Sequence, residues 1–103
     1  MFDSIKSIFG LEKTNYAQLI NDGAIILDVR TKSEYAKGHI KDSINIPLDQ
    51  LGNGLLKLRE SHMPIITCCA SGMRSATAKS FLISNGIKEV YNGGSWSSLQ
   101  TKI

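Results

Sequence analysis

Cys69, Ala70, Ser71, Gly72, Met73, Arg74 and Ser75 follow directly on the apolar run Ile65-Ile66-Thr67-Cys68. A thiol, two hydroxyls, a glycine and a guanidinium in one short stretch are the parts of a nucleophile set in an anion site. A strand that passes through a glycine-containing loop into a helix leaves the first backbone N–H groups of that helix without helical acceptors. With the positive end of the helix dipole, those groups hold an anion. Here the chain supplies the anion itself. The thiolate of Cys69 faces the donors, and Arg74 adds a full positive charge. A thiol so placed ionises near neutral pH and acts as a nucleophile.

That chemistry needs a rigid strand beneath the loop and a helix behind it. Pro64 to Cys68 reads as the central strand, and Ser75 to Asn85 as the helix, with Ala78, Phe81 and Leu82 inward and Gly86 as its C-terminal cap. Upstream, Ala24-Ile25-Ile26-Leu27-Asp28-Val29 is a second short apolar run, of the kind buried on both faces of a parallel sheet. Thr14 is placed to cap a helix over Asn15 to Asn21, stopped by Asp22-Gly23. Thr31-Lys32-Ser33-Glu34 fits a capping box, with Gly38 closing the short helix that follows. Ser43 to Ile46 reads as a strand ended by Pro47. Leu48, Leu51, Leu55 and Leu58 share a helical face. Gly52-Asn53-Gly54 predicts a broken or late-starting helix there, ending near Glu60. Lys88 to Tyr91 is a last strand, Asn92-Gly93-Gly94 a turn, and Ser95 the cap of a final helix carrying Trp96 and Leu99. Phe2, Ile5, Ile8 and Phe9 recur at helical spacing and predict a short N-terminal helix. Alternating strands and helices argue for an α/β domain with a largely parallel sheet. Sites in such sheets lie at the carboxyl ends of the strands, where both Cys69 and Asp28-Val29-Arg30 fall.

Composition narrows the function classes. The 103 residues suit one domain, 42% hydrophobic and 20% charged, with an excess of three positive charges. The lysines are dispersed, which predicts mild attraction for small anions and no nucleic-acid partner. Cys68 and Cys69, the two cysteines, are adjacent and point to opposite faces of a strand, so neither a disulfide nor a zinc site is expected. Cytoplasmic residence is the simpler expectation. The N-terminal residues carry no secretory pattern, and no stretch approaches the ~18 apolar residues that span a membrane.

Three segments together resemble the rhodanese (sulfurtransferase) domain in its single-domain form. They are Leu27-Asp28-Val29-Arg30 with Glu34-Tyr35 and Gly38-His39-Ile40; Ser43-Ile44-Asn45-Ile46-Pro47; and Cys69 to Ser75 followed by Gly93-Gly94 and Trp96. The resemblance covers a core over residues 14–99 of one domain spanning 1–103, with residues 1–13 as an N-terminal helix or arm. It implies a three-layer α/β fold, with about five mainly parallel strands and helices on both faces. It implies that Cys69 takes a sulfane sulfur from a donor such as thiosulfate, becomes a persulfide, and passes the sulfur to cyanide or a thiol. Small sulfur-containing anions, and a thiol or protein acceptor, are the partners implied for a monomer. The reaction requires neither metal nor organic cofactor. The loop N–H groups of residues 70–75 are expected to stabilise the sulfur anion, Arg74 to hold the donor, and Ser71 or Ser75 to add a hydroxyl.

Competing readings exist for several of these residues. Four residues separate Cys69 from Arg74, one fewer than in the cysteine-phosphatase signature, which favours a sulfur atom over a phosphate group in the loop. A regulatory or sulfur-relay module with little free turnover is the alternative to an enzyme, the N-terminal helix being its natural docking element. Cys68 is expected as a core residue. Asp28 and Arg30 are expected to brace the sheet edge rather than to react. His39 reads as a turn residue, His62 as a surface loop residue, and Trp96 as packed on the core.

Overall fold

The apolar runs of the chain pair into one parallel sheet, flanked by helices on both faces. The computed structural model describes residues 13–103. The N-terminal helix expected on Phe2, Ile5, Ile8 and Phe9 lies outside them. In chain order the elements are α1 (Tyr16–Asn21), β1 (Ile25–Asp28), α2 (Lys32–Lys37), β2 (Ile44–Asn45) and a 3₁₀ turn (Leu48–Gln50). Then come α3 (Leu51–Ser61), β3 (Ile65–Cys69), α4 (Met73–Ser84), β4 (Val90–Ser95) and α5 (Trp96–Gln100). The strand order is β2-β1-β3-β4, and every pairing is parallel. Four strands are therefore present among the described residues, where the resemblance implied about five.

Alternation of side chains along the strands builds two cores. Leu27, Val29, Ile65 and Cys69 face one way and pack with Leu51 and Leu58 of α3 and Ala78 and Leu82 of α4. Ile26, Ile66 and Cys68 face the other way and pack with Leu99 of α5, Ile40 and the α1 residues Tyr16, Leu19 and Ile20. Every residue of β3 is buried, as a central parallel strand requires.

Several local expectations are corrected by the packing. Asn15, not Thr14, caps α1, its side chain accepting from the Gln18 N–H. The glycines do not break α3, which runs from Leu51 through both of them to Ser61. The bare Cα of Gly54 lets Ile46 pack against the helix: a Cβ there would lie 2.7 Å from Ile46 Cδ1. Phe81, at the edge of the α4 stripe, is exposed, whereas Ala78 and Leu82 are buried. Asn92-Gly93-Gly94 is not a turn but the middle of β4. Thr67 pairs with Asn92 and Cys69 with Ser95, so β4 holds one extra residue there. This bulge, with Gly94 at φ 80°, takes up the irregularity that the sequence reading assigned to a turn. The strand under the loop extends through Cys69, and α4 begins earlier than expected, at Met73.

Candidate active site

Cys69 ends β3, and its side chain is wholly buried beneath the loop. The chain turns sharply at Gly72, whose φ of 102° is left-handed and strained for any other residue. A Cβ at position 72 would meet the Gly94 backbone only at ordinary contact distance, 3.5 Å, so the backbone conformation and not space calls for glycine. The turn folds the loop back over the sulfur. Gly72 N–H donates to Cys69 Sγ at 2.9 Å, and Ser75 N–H donates at 3.3 Å. The Ser75 hydroxyl lies 3.4 Å from Sγ; it accepts from the neutral thiol and, by rotating its proton, can donate to the thiolate. Burial pushes the Cys69 thiol up, but the Ser75 hydroxyl and the N–H groups of Ser75, Gly72 and Ser71 outweigh burial and hold it below the ordinary thiol value. Ser75 therefore supplies the hydroxyl, and Ser71 contributes through its backbone. Cys68, one residue earlier, faces the opposite core. Burial, with the charge of Asp28 adding to it, raises that thiol to about 12.

Ser75 is itself held. Its hydroxyl has a single proton, with Asn92 Oδ1 at 2.6 Å and Gly72 O at 3.0 Å as acceptors. Asn92 Oδ1 also accepts from Gly94 N–H at 3.0 Å. Thr67 Oγ1 donates to Ser75 O at 2.9 Å, fixing the first turn of α4 to β3. The local sequence predicts a turn at Asn92. Only the pairing of β4 with β3 brings it to the loop.

Arg30 and Arg74 are each bound to a carboxylate. Arg30 and Asp28 form a buried pair with Arg30 Nη2 at 2.7 Å from Asp28 Oδ2. Arg30 also donates to Glu34 O at 3.3 Å and to Gly38 O at 2.7 Å, and its guanidinium lies 4.9 Å from the Trp96 ring centroid. Asn45 Nδ2 donates to the carbonyls of Asp28 and Arg30, both at 3.0 Å. Asp28 and Arg30 thus fasten α2 to the carboxyl end of β1. Arg74 makes a forked pair with Glu34, at 2.7 and 2.9 Å. The Arg74 guanidinium and then the Thr31 N–H hold the Glu34 carboxyl at about 2. Arg74 therefore points to a carboxylate, where the sequence reading gave it an unshared charge. The local pattern makes Glu34 a capping residue. It is that too, since Thr31 N–H and Oγ1 donate to its Oε1 at 3.1 and 3.0 Å. The capping box satisfied the local pattern and left no sign of the second partner.

Ala70, Ser71 and Met73 form the exposed lip of the loop, Met73 being 78% accessible. His39 stacks on Tyr35 at 3.7 Å and lies outside the sulfur's surroundings, as does His62, whose φ of 57° ends α3. No cluster of His, Cys, Asp and Glu able to hold a metal occurs among the described residues.

Residues 12–101 match the family model of the rhodanese-like domain, and the chain belongs to that family. It is 38% identical over 69 residues to the uncharacterized protein YqhL of Bacillus subtilis, covering 67% of this chain and 54% of that one. It is 33% identical over 72 residues to the thiosulfate sulfurtransferase GlpE of Stutzerimonas stutzeri, covering 70% of this chain and 65% of that one. These matches span less than two-thirds of either relative's length. A solved rhodanese with anions from E. coli superposes with a TM-score of 0.69 at 26% identity, covering 74% of this chain and 91% of that one. The fold is that of the rhodanese family, and the family is of sulfurtransferase type.

Proposed function

We propose that this protein is a sulfurtransferase in which Cys69 accepts a sulfane sulfur as a persulfide and passes it to a thiophilic acceptor such as cyanide or a thiol. The observation that carries this reading is the set of donors converging on Cys69 Sγ, with Gly72 N–H at 2.9 Å and Ser75 N–H at 3.3 Å. They favour the attacking thiolate over the thiol. After transfer the same turn can receive the terminal sulfur anion of the persulfide. The thiolate attacks the outer sulfur of the donor. One sulfur–sulfur bond forms as another breaks, and the leaving group departs with the electron pair: sulfite from thiosulfate, or a thiolate from a persulfide. The second half-reaction repeats the displacement with Cys69 as leaving group. Kinship with a thiosulfate sulfurtransferase supports thiosulfate as one donor.

Incubation with a donor is expected to raise the intact mass by about 32 Da, one sulfur atom. Cys69→Ser should abolish the gain, and Cys68→Ala should retain it. No gain from thiosulfate, polysulfide or persulfide would refute the reading. Full uptake with negligible turnover on free acceptors would assign the same chemistry to relay between proteins.

A further inference from the structure

Glu34 is more firmly fixed than a partner for Arg74 needs to be. Its Oε1 accepts from Thr31 N–H and Thr31 Oγ1 as well as from Arg74 Nη1, and Oε2 accepts from Arg74 Nη2. The helix carrying it is tied down through its own carbonyls, since Arg30 donates to Glu34 O and Gly38 O. Arg30 in turn is committed to Asp28. The carboxylate would therefore stay in place if Arg74 let go. It is a fixed negative charge beside the loop, with both side chains of its ion pair 35% exposed. Cys69 is wholly buried, so a donor that delivers its terminal sulfur there is expected to leave its remaining atoms at the loop, where Arg74 meets Glu34.

The consequence differs between donors. In thiosulfate those remaining atoms are a sulfonate head, which must displace Glu34 from Arg74 or settle beside a carboxylate. In the persulfide of a zwitterionic thiol such as cysteine, the carbon skeleton has no net charge and meets no such opposition. We infer that Glu34 is a specificity-determining residue, which sets this site against dianionic sulfane donors and in favour of thiol persulfides. The inference rests on the Cys69 persulfide reading and names the donor class for it. The favoured step balances as Cys69-S⁻ plus R-S-SH giving Cys69-S-SH plus R-S⁻. The sulfur–sulfur bond of the donor breaks and that of Cys69 forms, with no outside oxidant or reductant.

The test measures second-order rates of sulfur uptake by the full chain, followed by intact mass, from thiosulfate and from cysteine persulfide. Glu34→Gln keeps a side chain that can complete the capping box while removing the charge. It should raise the thiosulfate-to-persulfide rate ratio by about five-fold or more. A loss of fold or of loop order would slow both donors together and leave the ratio where it was. With the persulfide rate retained, a ratio that is unchanged or falls overturns the inference. A second measurement uses the unaltered protein. An unshared Arg74 would attract the dianion, and thiosulfate uptake would fall by more than about three-fold from low to physiological salt. The paired arrangement predicts a smaller change, and the steep fall would also overturn the inference. Uptake from both donors with a flat ratio removes this inference alone; uptake from neither removes the Cys69 reading and this inference with it.

Discussion

Cys68 and Cys69 are neighbours on one strand, and their thiols shift in opposite directions. Both are buried, and burial favours the neutral thiol in each. What separates them is the backbone. The turn at Gly72 brings N–H groups onto the Sγ of Cys69, while Cys68 faces an apolar core and is pushed to about 12. Alkylation at Cys69 by a small electrophile should therefore increase with pH to a plateau whose midpoint lies below that of an ordinary thiol. The sign follows from the thiolate being the reactive form: the rate is lost as pH falls through the Cys69 value. Ser75→Ala removes a hydroxyl that lowers this value, and should move the midpoint up. Peptide mapping of the alkylated protein across pH checks both. An unmoved midpoint would mean that the N–H groups alone set the acidity.

Among the elements, α2 does more than its six residues suggest. Its capping box sets the N-terminus and the orientation of Glu34, Arg30 anchors its carbonyls, and Glu34 reaches the loop. The capping box was legible because Thr and Glu at that spacing satisfy each other locally. The course of α3 was not. Glycine disfavours a helix by propensity, but Leu51 and Leu58 bury on the sheet and hold the helix through it. The two glycines then have different meanings. Nothing lies within 4 Å of a Cβ built at Gly52, whereas one at Gly54 meets Ile46. Gly52→Ala should stabilise the protein by about 0.5–1 kcal/mol, since the methyl group enters open space and the unfolded chain loses freedom. Urea titration, with midpoints compared at constant slope, measures this. A drop in stability would show that helical conformation is not favoured at that position.

For the whole molecule, the sheet separates two cores that share no buried residue. Leu82 fills one and Leu99 the other, and both are fully buried. Leu82→Ala and Leu99→Ala should each cost about 2–5 kcal/mol, from lost transfer energy and the cavity left behind. Because the two residues belong to separate clusters, the double variant should lose close to the sum of the two. Chemical denaturation of the four proteins tests this, and strong non-additivity would mean that the sheet transmits strain between its faces. The same two-sided covering places the site. With helices on both faces and loops at the strand ends, the carboxyl ends of β1 and β3 come side by side, and Asp28 pairs in register with Cys68.

The strand–loop–helix around Cys69, the alternation of strands and helices, the Thr31–Glu34 box and the Ser95 cap were all determined by the sequence alone. Each depends on residues within a few positions of one another, so local periodicity and residue type carry the information. Tertiary structure alone decided what the charged and polar groups around the sulfur do. Glu34 meets Arg74 across 40 positions, and Asn92 meets Ser75 across 17. Those meetings follow from strand order and register, which are set by burying both faces of the sheet at once. A local pattern gives Arg74 a free charge and Asn92 a turn. Packing gives Arg74 a carboxylate and Asn92 a place behind Ser75.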